Sequence, residues 1–173
     1  MSHTDGATNL VPLLVGEERI QKIAKSKVVE ATYVSAILQY VPYWVYCYTF
    51  LIPRIFMKPR PMEIWIACDA RSGKTFPIRL DRDIIKKDKI GSEAELIQPS
   101  IEESAAEEYT REAAYEAFVK RFLALKDPTV SITFNKLAYF PMWKVMLRQK
   151  EETYIELLIN GRTGIIEQKK TIR

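Results

Sequence analysis

Two segments of the chain carry apolar side chains at helical spacing. Between residues 110 and 125 the apolar positions recur every three or four residues and share one helical face: Ala114, Ala117, Phe118, Phe122 and Leu125. Thr110 is placed to cap this helix, and Pro128 follows its end because proline cannot continue the hydrogen-bond ladder. A shorter helix is predicted over residues 16–26, where one face carries Ile20, Ile23 and Ala24.

Other segments alternate between apolar and polar residues, and this period of two predicts strands. Residues 129–135 alternate cleanly, and further apolar strands are expected over residues 144–148 and 153–159. The polar residues 149–152 form a turn between the last two strands. Each predicted helix is thus followed by about three short antiparallel strands.

Two short motifs occur twice in the chain, in the same order. Residues 40–44 and 139–143 both read Tyr-x-Pro-x-Trp, and residues 69–73 and 160–164 both read Asp/Asn-x-Arg-Ser/Thr-Gly after an apolar strand. Because both motifs recur with similar strands between them, internal duplication is favoured over chance. The residues expected to act as structural anchors are Trp44, Trp143, Gly73 and Gly164.

These patterns together predict an α+β protein. It is expected to be a tandem repeat of a helix followed by about three antiparallel strands, with the two repeats packed into one compact protein because a three-stranded unit buries little core alone. The predicted organisation is a flexible leader (1–15), a first repeat (16–90) with an insert (about 51–61), an acidic linker (91–109) and a second repeat (110–173).

The second copy of the motifs resembles a known kind of domain. The Tyr-x-Pro-x-Trp element, followed by a strand that ends in Ile159-Asn160-Gly161-Arg162-Thr163-Gly164, resembles a hairpin module of uncharacterised bacterial proteins. It is also similar to small PepSY-like domains, in which a helix packs on an antiparallel sheet whose last strands meet at an Asp-x-x-Thr-Gly turn. The resemblance implies a non-catalytic interaction or inhibitory module and supplies no catalytic residues.

The segment Asp69-Ala70-Arg71-Ser72-Gly73-Lys74-Thr75 ends like a phosphate-binding loop. Such a loop needs a glycine five residues before its Gly-Lys pair, where this chain has Cys68, and it must open a helix rather than a strand. The second copy has Ile165 in place of the lysine. We therefore predict a tight hairpin turn with a left-handed glycine, and no nucleotide site.

The sequence shows no catalytic or metal-binding constellation. Cys47 and Cys68 form neither a disulfide framework nor a zinc site by themselves, and His3 is the single histidine. Both cysteines lie in apolar segments, which is typical of buried core thiols. We accordingly expect no enzymatic activity, no metal and no cofactor.

A run of twenty uncharged residues, Val34 to Pro53, is long enough to span a bilayer. Its two prolines, Pro42 and Pro53, and its many aromatic residues disfavour a spanning helix. Because no secretory signal is recognised at the start of the chain, a cytoplasmic protein is expected, with membrane-peripheral association as the alternative.

The insert of residues 51–61 is the strongest candidate for a binding site, because the second copy lacks it. It combines apolar and basic residues, and its candidate partner-binding residues are Ile55, Phe56, Met57, Arg54 and Lys58. The expected function is a non-enzymatic binding or assembly module with an unknown protein partner. The competing interpretation is that the insert folds over its own sheet and covers additional core.

Three further ligand classes stay open. Aromatic residues near the Tyr-x-Pro-x-Trp motifs, with basic neighbours, could stack on the bases of a nucleic acid, although aromatic strands more often build cores. The apolar and basic insert, residues 50–60, could contact an anionic membrane. Arg71 and Arg162 occupy the same position in the two turns and are candidate contacts for a small anion.

Overall fold

The computed structural model describes residues 7–28, 30–54, 56–121, 127–149 and 153–172. In these residues the chain forms two helices, α1 (Glu17–Lys27) and α2 (Glu103–Val119), and a short 3₁₀ turn at Arg82–Ile84. It also forms nine strands: β1 (Thr8–Leu10), β2 (Thr32–Arg54), β3 (Met57–Asp69), β4 (Thr75–Pro77), β5 (Lys86–Asp88), β6 (Glu95–Leu96), β7 (Thr129–Arg148), β8 (Tyr154–Asn160) and β9 (Ile166–Ile172).

All nine strands of the described residues belong to one mixed sheet, so the predicted tandem repeat of a helix and three antiparallel strands is wrong. The strands β2 and β7 are neighbours, and each runs without interruption through its Tyr-x-Pro-x-Trp motif. The β1–β7 and β2–β6 pairings are parallel, whereas the hairpin pairings β2–β3 and β7–β8 are antiparallel. The sequence pattern missed these parallel pairings because they join segments distant in the chain.

The chain divides into two compact units, and both are discontinuous in sequence. Unit 1 consists of residues 1–41, 83–97 and 139–173, and unit 2 of residues 42–82 and 98–138. The strands β2 and β7 each contribute one part to each unit. Each unit therefore combines a helix from one half of the chain with a hairpin from the other half.

The core of unit 1 is formed by α1 and the hairpin β7–β8. Ile20 and Ala24 of α1 are fully buried and pack against Trp143 and Val145 of β7 and Leu157 of β8. The two ends of α1 carry favourable charges, glutamates in the first turn and lysines in the last. The helix predicted from Gly16 to Ser26 is thus confirmed within one residue, but its partner is the strand pair near the C-terminus.

The core of unit 2 is formed by α2 and the hairpin β2–β3. Phe118 of α2 stacks on Phe50 of β2 with 4.6 Å between the ring centroids and 4° between the ring planes. Ala106 and Ala114 bring α2 close to the buried rings of strand β2, including Tyr46. The small residues on this face allow the helix to approach the aromatic surface of the sheet.

The start of α2 differs from the prediction. The helix begins at Glu103 rather than at Thr110, within the stretch predicted to be an acidic linker. Thr110 is buried inside the helix, where its hydroxyl donates to the Ala106 carbonyl (2.7 Å) and shares a hydrogen bond with the Tyr48 hydroxyl (2.9 Å). Phe122 and Leu125, at the predicted end of this helix, lie outside the described residues.

The uncharged run from Val34 to Pro53 lies within strand β2. Its valines, isoleucines and aromatic residues favour the extended conformation, in which alternate side chains reach opposite faces of the sheet. No helix within the described residues has the length and hydropathy needed to cross a bilayer.

Candidate functional site

The insert forms the outer part of the β2–β3 hairpin in unit 2. Beyond the Phe50–Met62 pair, the strands remain in register at Leu51–Pro61 and Ile52–Arg60, and pairing is irregular before Arg54–Met57. We call residues 51–61 the hairpin arm. The four residues of β2 beyond Phe50, Leu51 to Arg54, correspond to a reach of about 13 Å at 3.3 Å per residue.

The apolar side chains of the hairpin arm are exposed to solvent. Phe56, at the tip, is 101% exposed, Met57 is 62% exposed and Leu51 is 39% exposed. The interpretation that the insert covers its own core therefore fails for these residues. Ile55, the other apolar candidate near the tip, lies outside the described residues.

The backbone at the tip is in an unfavourable conformation for its residue. Phe56 has a φ of 63°, in the left-handed region that glycine or asparagine normally occupies in short hairpin turns. A left-handed phenylalanine costs about 1 kcal/mol or more relative to a permitted conformation, and here no burial of the ring offsets it. Such an outlier is a reason to suspect function at the tip.

The hairpin arm is positively charged, with Arg54, Lys58 and Arg60 and no carboxylate. Among the described residues, these three cations have no carboxylate partner within 4.0 Å. The nearest acidic residue along β3 is Glu63, whose carboxylate accepts from Arg82 at 2.9 Å. The charge of the arm is therefore available to a partner.

Proline residues restrict how the hairpin arm can bind. Pro59 and Pro61 lie in the arm portion of β3 and cannot donate backbone hydrogen bonds. Prolines at a sheet edge disfavour the addition of another strand, because they leave the edge without backbone donors. Addition of a partner strand to this edge of the arm is therefore disfavoured.

The Gly-Lys-Thr segment is a tight turn, as predicted, and strand β4 follows it. The Gly73 amide donates to the Asp69 carbonyl at 2.8 Å, and Gly73 has a φ of 73°. The turn between β8 and β9 has the same geometry, with 2.8 Å between the Gly164 amide and the Asn160 carbonyl and a φ of 74° at Gly164. Both glycines supply a left-handed conformation that other residues adopt at a cost.

The two turn arginines differ in their surroundings. The Arg71 guanidinium donates to both carboxylate oxygens of Asp69, at 3.0 and 2.7 Å. Burial acts to raise the pKa of Asp69, but the hydrogen bonds from Arg71 outweigh it and hold the pKa below its ordinary value. Arg71 lies in unit 2 and is already paired with a carboxylate, whereas Arg162 lies in unit 1 and its backbone amide donates to Asn160. Their role as anion contacts stays a prediction.

The motif tryptophans hold the segments that lead into the helices. The Trp44 indole donates to the Ile101 carbonyl, two residues before α2, and the Trp143 indole donates to the Val15 carbonyl, two residues before α1, both at 2.9 Å. In each unit the chain before the helix also donates backbone amides to the turn, to Ala70 in unit 2 and to Gly161 in unit 1. A short sequence motif thus fixes where each helix starts.

The aromatic residues considered for base stacking are mostly buried. Tyr46 and Tyr48 have almost no exposed surface, and Tyr43 and Trp143 are also buried. Their rings therefore serve the cores of the two units. Among the described residues of unit 2, the most exposed aromatic rings are Phe56 at the arm tip and Tyr109 and Tyr115 on α2.

The two cysteines are buried free thiols, as predicted. Burial raises the pKa of Cys47, and burial together with the Asp69 carboxylate raises the pKa of Cys68 to about 11. A thiol with a raised pKa is a poor nucleophile because the thiolate is the reactive form. Within the described part of the chain, no group of three or more His, Cys, Asp or Glu side chains is arranged to hold a metal ion.

A cavity of about 530 Å³ lies in unit 1, lined by Tyr40, Trp143 and the glutamates Glu17 and Glu93, among others. The Glu17 carboxylate accepts a hydrogen bond from the Tyr33 hydroxyl at 2.9 Å. Burial, followed by this hydrogen bond, raises the pKa of Tyr33 to about 12. The Tyr33 hydroxyl therefore keeps its proton near neutral pH and donates it to Glu17 in a structural hydrogen bond.

A solvent-facing row of residues on α2 was not identified from the sequence. Glu108, Glu112, Tyr115 and Val119 recur at helical spacing and are exposed, with 46% of Tyr115 and 55% of Val119 accessible. We call these four residues the α2 stripe. The spacing of the glutamates and apolar residues was visible in the sequence, but extending the helix back to Glu103 was needed to place them on one face.

Comparison of the chain with protein-family models, curated proteins and solved structures finds no match. The resemblance to PepSY-like domains therefore stays an expectation, and the function must be argued from the site itself.

Proposed function

We propose that this chain is a binding module that assembles with a protein partner through its hairpin arm. The observation that carries the proposal is Phe56, a fully exposed aromatic side chain held at the tip of the arm in a strained backbone conformation. Exposed aromatic and arginine side chains on a rigid support are the residues that dominate binding energy at protein interfaces.

The base of the hairpin arm supports this role because it is firmly held. Ile52 and Met62 pack against the core of unit 2, and Glu63 pairs with Arg82 just below the arm. Arg82 also lies 5.7 Å from the centre of the Trp65 ring. An arm with an ordered base loses less conformational entropy on binding than a mobile loop would.

The apolar and basic residues of the hairpin arm give a partner two kinds of contact. Phe56 and Met57 offer apolar surface that a pocket could bury, and Arg54 and Lys58 flank them with positive charge. Burial of the two apolar side chains would supply most of the affinity, and the charges would direct orientation and increase the association rate.

The test is capture of binding partners with a tagged protein. Wild type is compared with Phe56→Ser/Met57→Ser and with the matched control Leu14→Ser/Ile165→Ser, which removes two exposed apolar side chains from unit 1. We expect a protein that stays bound through a high-salt wash with wild type and the control but is lost with the arm variant. Equal capture by all three would contradict the proposal.

The hairpin arm also favours a second candidate, attachment to an anionic membrane surface. An apolar tip between two cations suits insertion at the boundary between headgroups and acyl chains. Flotation with vesicles of neutral lipid, and of neutral lipid mixed with phosphatidylserine, separates the two candidates. Binding to the anionic vesicles that is lost with the arm variant, together with no captured protein, would favour the membrane.

A further inference from the structure

The α2 stripe is complementary in charge to the hairpin arm. Helix α2 carries five glutamates against one arginine, whereas the arm carries three cations and no carboxylate. Glu107 and Glu116 have basic partners four residues along the helix. Among the described residues, Glu108 and Glu112 of the stripe have no basic partner within 4.0 Å. The unpaired cations of the arm thus have unpaired carboxylates as counterparts elsewhere in unit 2.

The α2 stripe also offers apolar surface. Tyr115 and Val119 form its C-terminal part and are about half exposed. The stripe therefore has an acidic part followed by an apolar part, and the arm has basic residues beside an apolar tip. Arg54 and Lys58 of the arm can therefore contact the glutamates of the stripe, while Phe56 and Met57 cover its apolar part.

The lengths of the two surfaces are comparable. From Glu108 to Val119 the helix rises about 17 Å at 1.5 Å per residue. The hairpin arm extends about 13 Å beyond Phe50 along β2. One arm can therefore lie along most of the stripe.

The arm and the stripe are neighbours within unit 2, because Phe50 at the arm base stacks on Phe118 near the end of α2. The arm continues outward from this contact and the stripe runs along the helix. In a dimer with a two-fold axis, the arm of each copy can contact the stripe of the other copy. Both complementary surfaces of each molecule are then covered.

We propose that a second copy of this chain is the partner of the hairpin arm, with the arm of each copy docked on the α2 stripe of the other. The inference rests on the proposed function, because it identifies the protein that the arm binds. Its interface would be closed and two-fold symmetric, so the expected product is a dimer rather than a filament.

The test is sedimentation velocity of purified protein over a range of concentrations, in low and moderate salt. The arm variant is Arg54→Glu/Lys58→Glu and the stripe variant is Glu108→Lys/Glu112→Lys. The control is Lys169→Glu/Lys170→Glu, which makes the same charge change as the arm variant on exposed residues of β9. We expect wild type and the control to dimerise, and the arm and stripe variants to dissociate at least about tenfold more readily because attraction becomes repulsion.

The combination of the arm and stripe variants in one chain gives the decisive result. Because it restores opposite charges with the signs exchanged, we expect dimerisation to recover, and a sum of the two losses instead would overturn the proposal. A wild type that stays monomeric at all concentrations would also overturn it. If that monomer still captures another protein through Phe56 and Met57, only the choice of partner fails and the proposed function stands.

Discussion

The hydrogen bond from Trp143 to the Val15 carbonyl makes a quantitative prediction about stability. Trp143 is buried, and its indole nitrogen donates across unit 1 to the segment before α1 at 2.9 Å. Replacing it with phenylalanine retains an aromatic ring but removes the donor. The buried carbonyl then loses its partner, which costs about 1–3 kcal/mol. The smaller ring also loses about 1 kcal/mol of apolar burial.

We therefore expect Trp143→Phe to reduce the free energy of unfolding by about 2–4 kcal/mol. In a chain of this size, that corresponds to a fall in Tm of roughly 5–15 °C. The matched control is Trp44→Phe, which removes the same kind of bond, to Ile101 at 2.9 Å, from a less buried indole in unit 2. We expect this control to lose about half as much, since water can reach the freed groups more easily.

Urea unfolding followed by far-UV circular dichroism measures both variants, because the signal does not depend on the tryptophans themselves. The slope of the transition should be the same for wild type and variants if only stability has changed. A loss of less than about 1 kcal/mol for Trp143→Phe, or a larger loss for Trp44→Phe, would refute the role given to the buried indole–carbonyl bond.

Three further predictions concern the arm tip, the core of unit 2 and the buried thiol. Phe56→Gly should leave stability unchanged or raise it by up to about 1 kcal/mol, since glycine accepts the left-handed backbone, and it should weaken partner capture; a clear loss of stability would show that the ring supports the fold. Phe118→Ala should cost about 3–5 kcal/mol because it removes the ring stacked on Phe50, and denaturant unfolding would contradict this with a loss below about 1 kcal/mol. The pKa of Cys68 is about 11 in the folded protein and near 8.5 in an unfolded chain, so the unfolded state loses its proton first and stability should fall between about pH 9 and pH 11. Cys68→Ala should flatten that part of the stability–pH curve, and an identical slope in the variant would rule out the thiol as its cause.

The sequence was a good guide to local structure. The helical spacing of Ile20 and Ala24 placed α1 within one residue, and the two glycine turns were identified from Gly73 and Gly164 with the correct conformation. These features depend on side chains close together in the chain. Their physical causes are amphipathic spacing and the conformational freedom of glycine, and both can be read directly from the sequence.

The pairing of elements could not be read from the same patterns. The apolar face of α1 shows that the helix is buried on one side, but many strands could cover that face equally well. In the structure its partners include Trp143 and Leu157, more than a hundred residues away. The tandem repeat assumed that each helix packs on the strands that follow it, and this assumption caused the wrong fold prediction.

The start of α2 was missed because two sequence signals conflicted. The glutamates after Ile101 suggested a solvated linker, and Thr110 had the chemistry of a helix cap. The correct boundary was present in the spacing of Ala106, Thr110, Ala114 and Phe118, which form the buried face of the helix. A buried threonine can satisfy its hydroxyl within the helix, so its presence did not require a helix end.

The candidate site was predicted in part. The second copy of the motifs has no counterpart of residues 51–61, which indicated a distinct element. Its apolar and basic composition identified Phe56, Met57, Arg54 and Lys58 as candidate partner-binding residues. Composition alone could not show whether this segment covered the core or extended from it. The decisive fact, the exposure of the tip, depends on the continued pairing of β2 with β3.

Photo-crosslinking from the arm tip tests the role of the hairpin arm most directly. A photoreactive phenylalanine analogue is placed at position 56 in one protein and at the exposed position 165 in the control, and both are irradiated in cells that normally make the protein. We predict a covalent adduct with another polypeptide, or with a second copy of this chain, from position 56 and not from position 165. Adducts with lipid alone, or the same adducts from both positions, would contradict the proposal that the arm binds a protein.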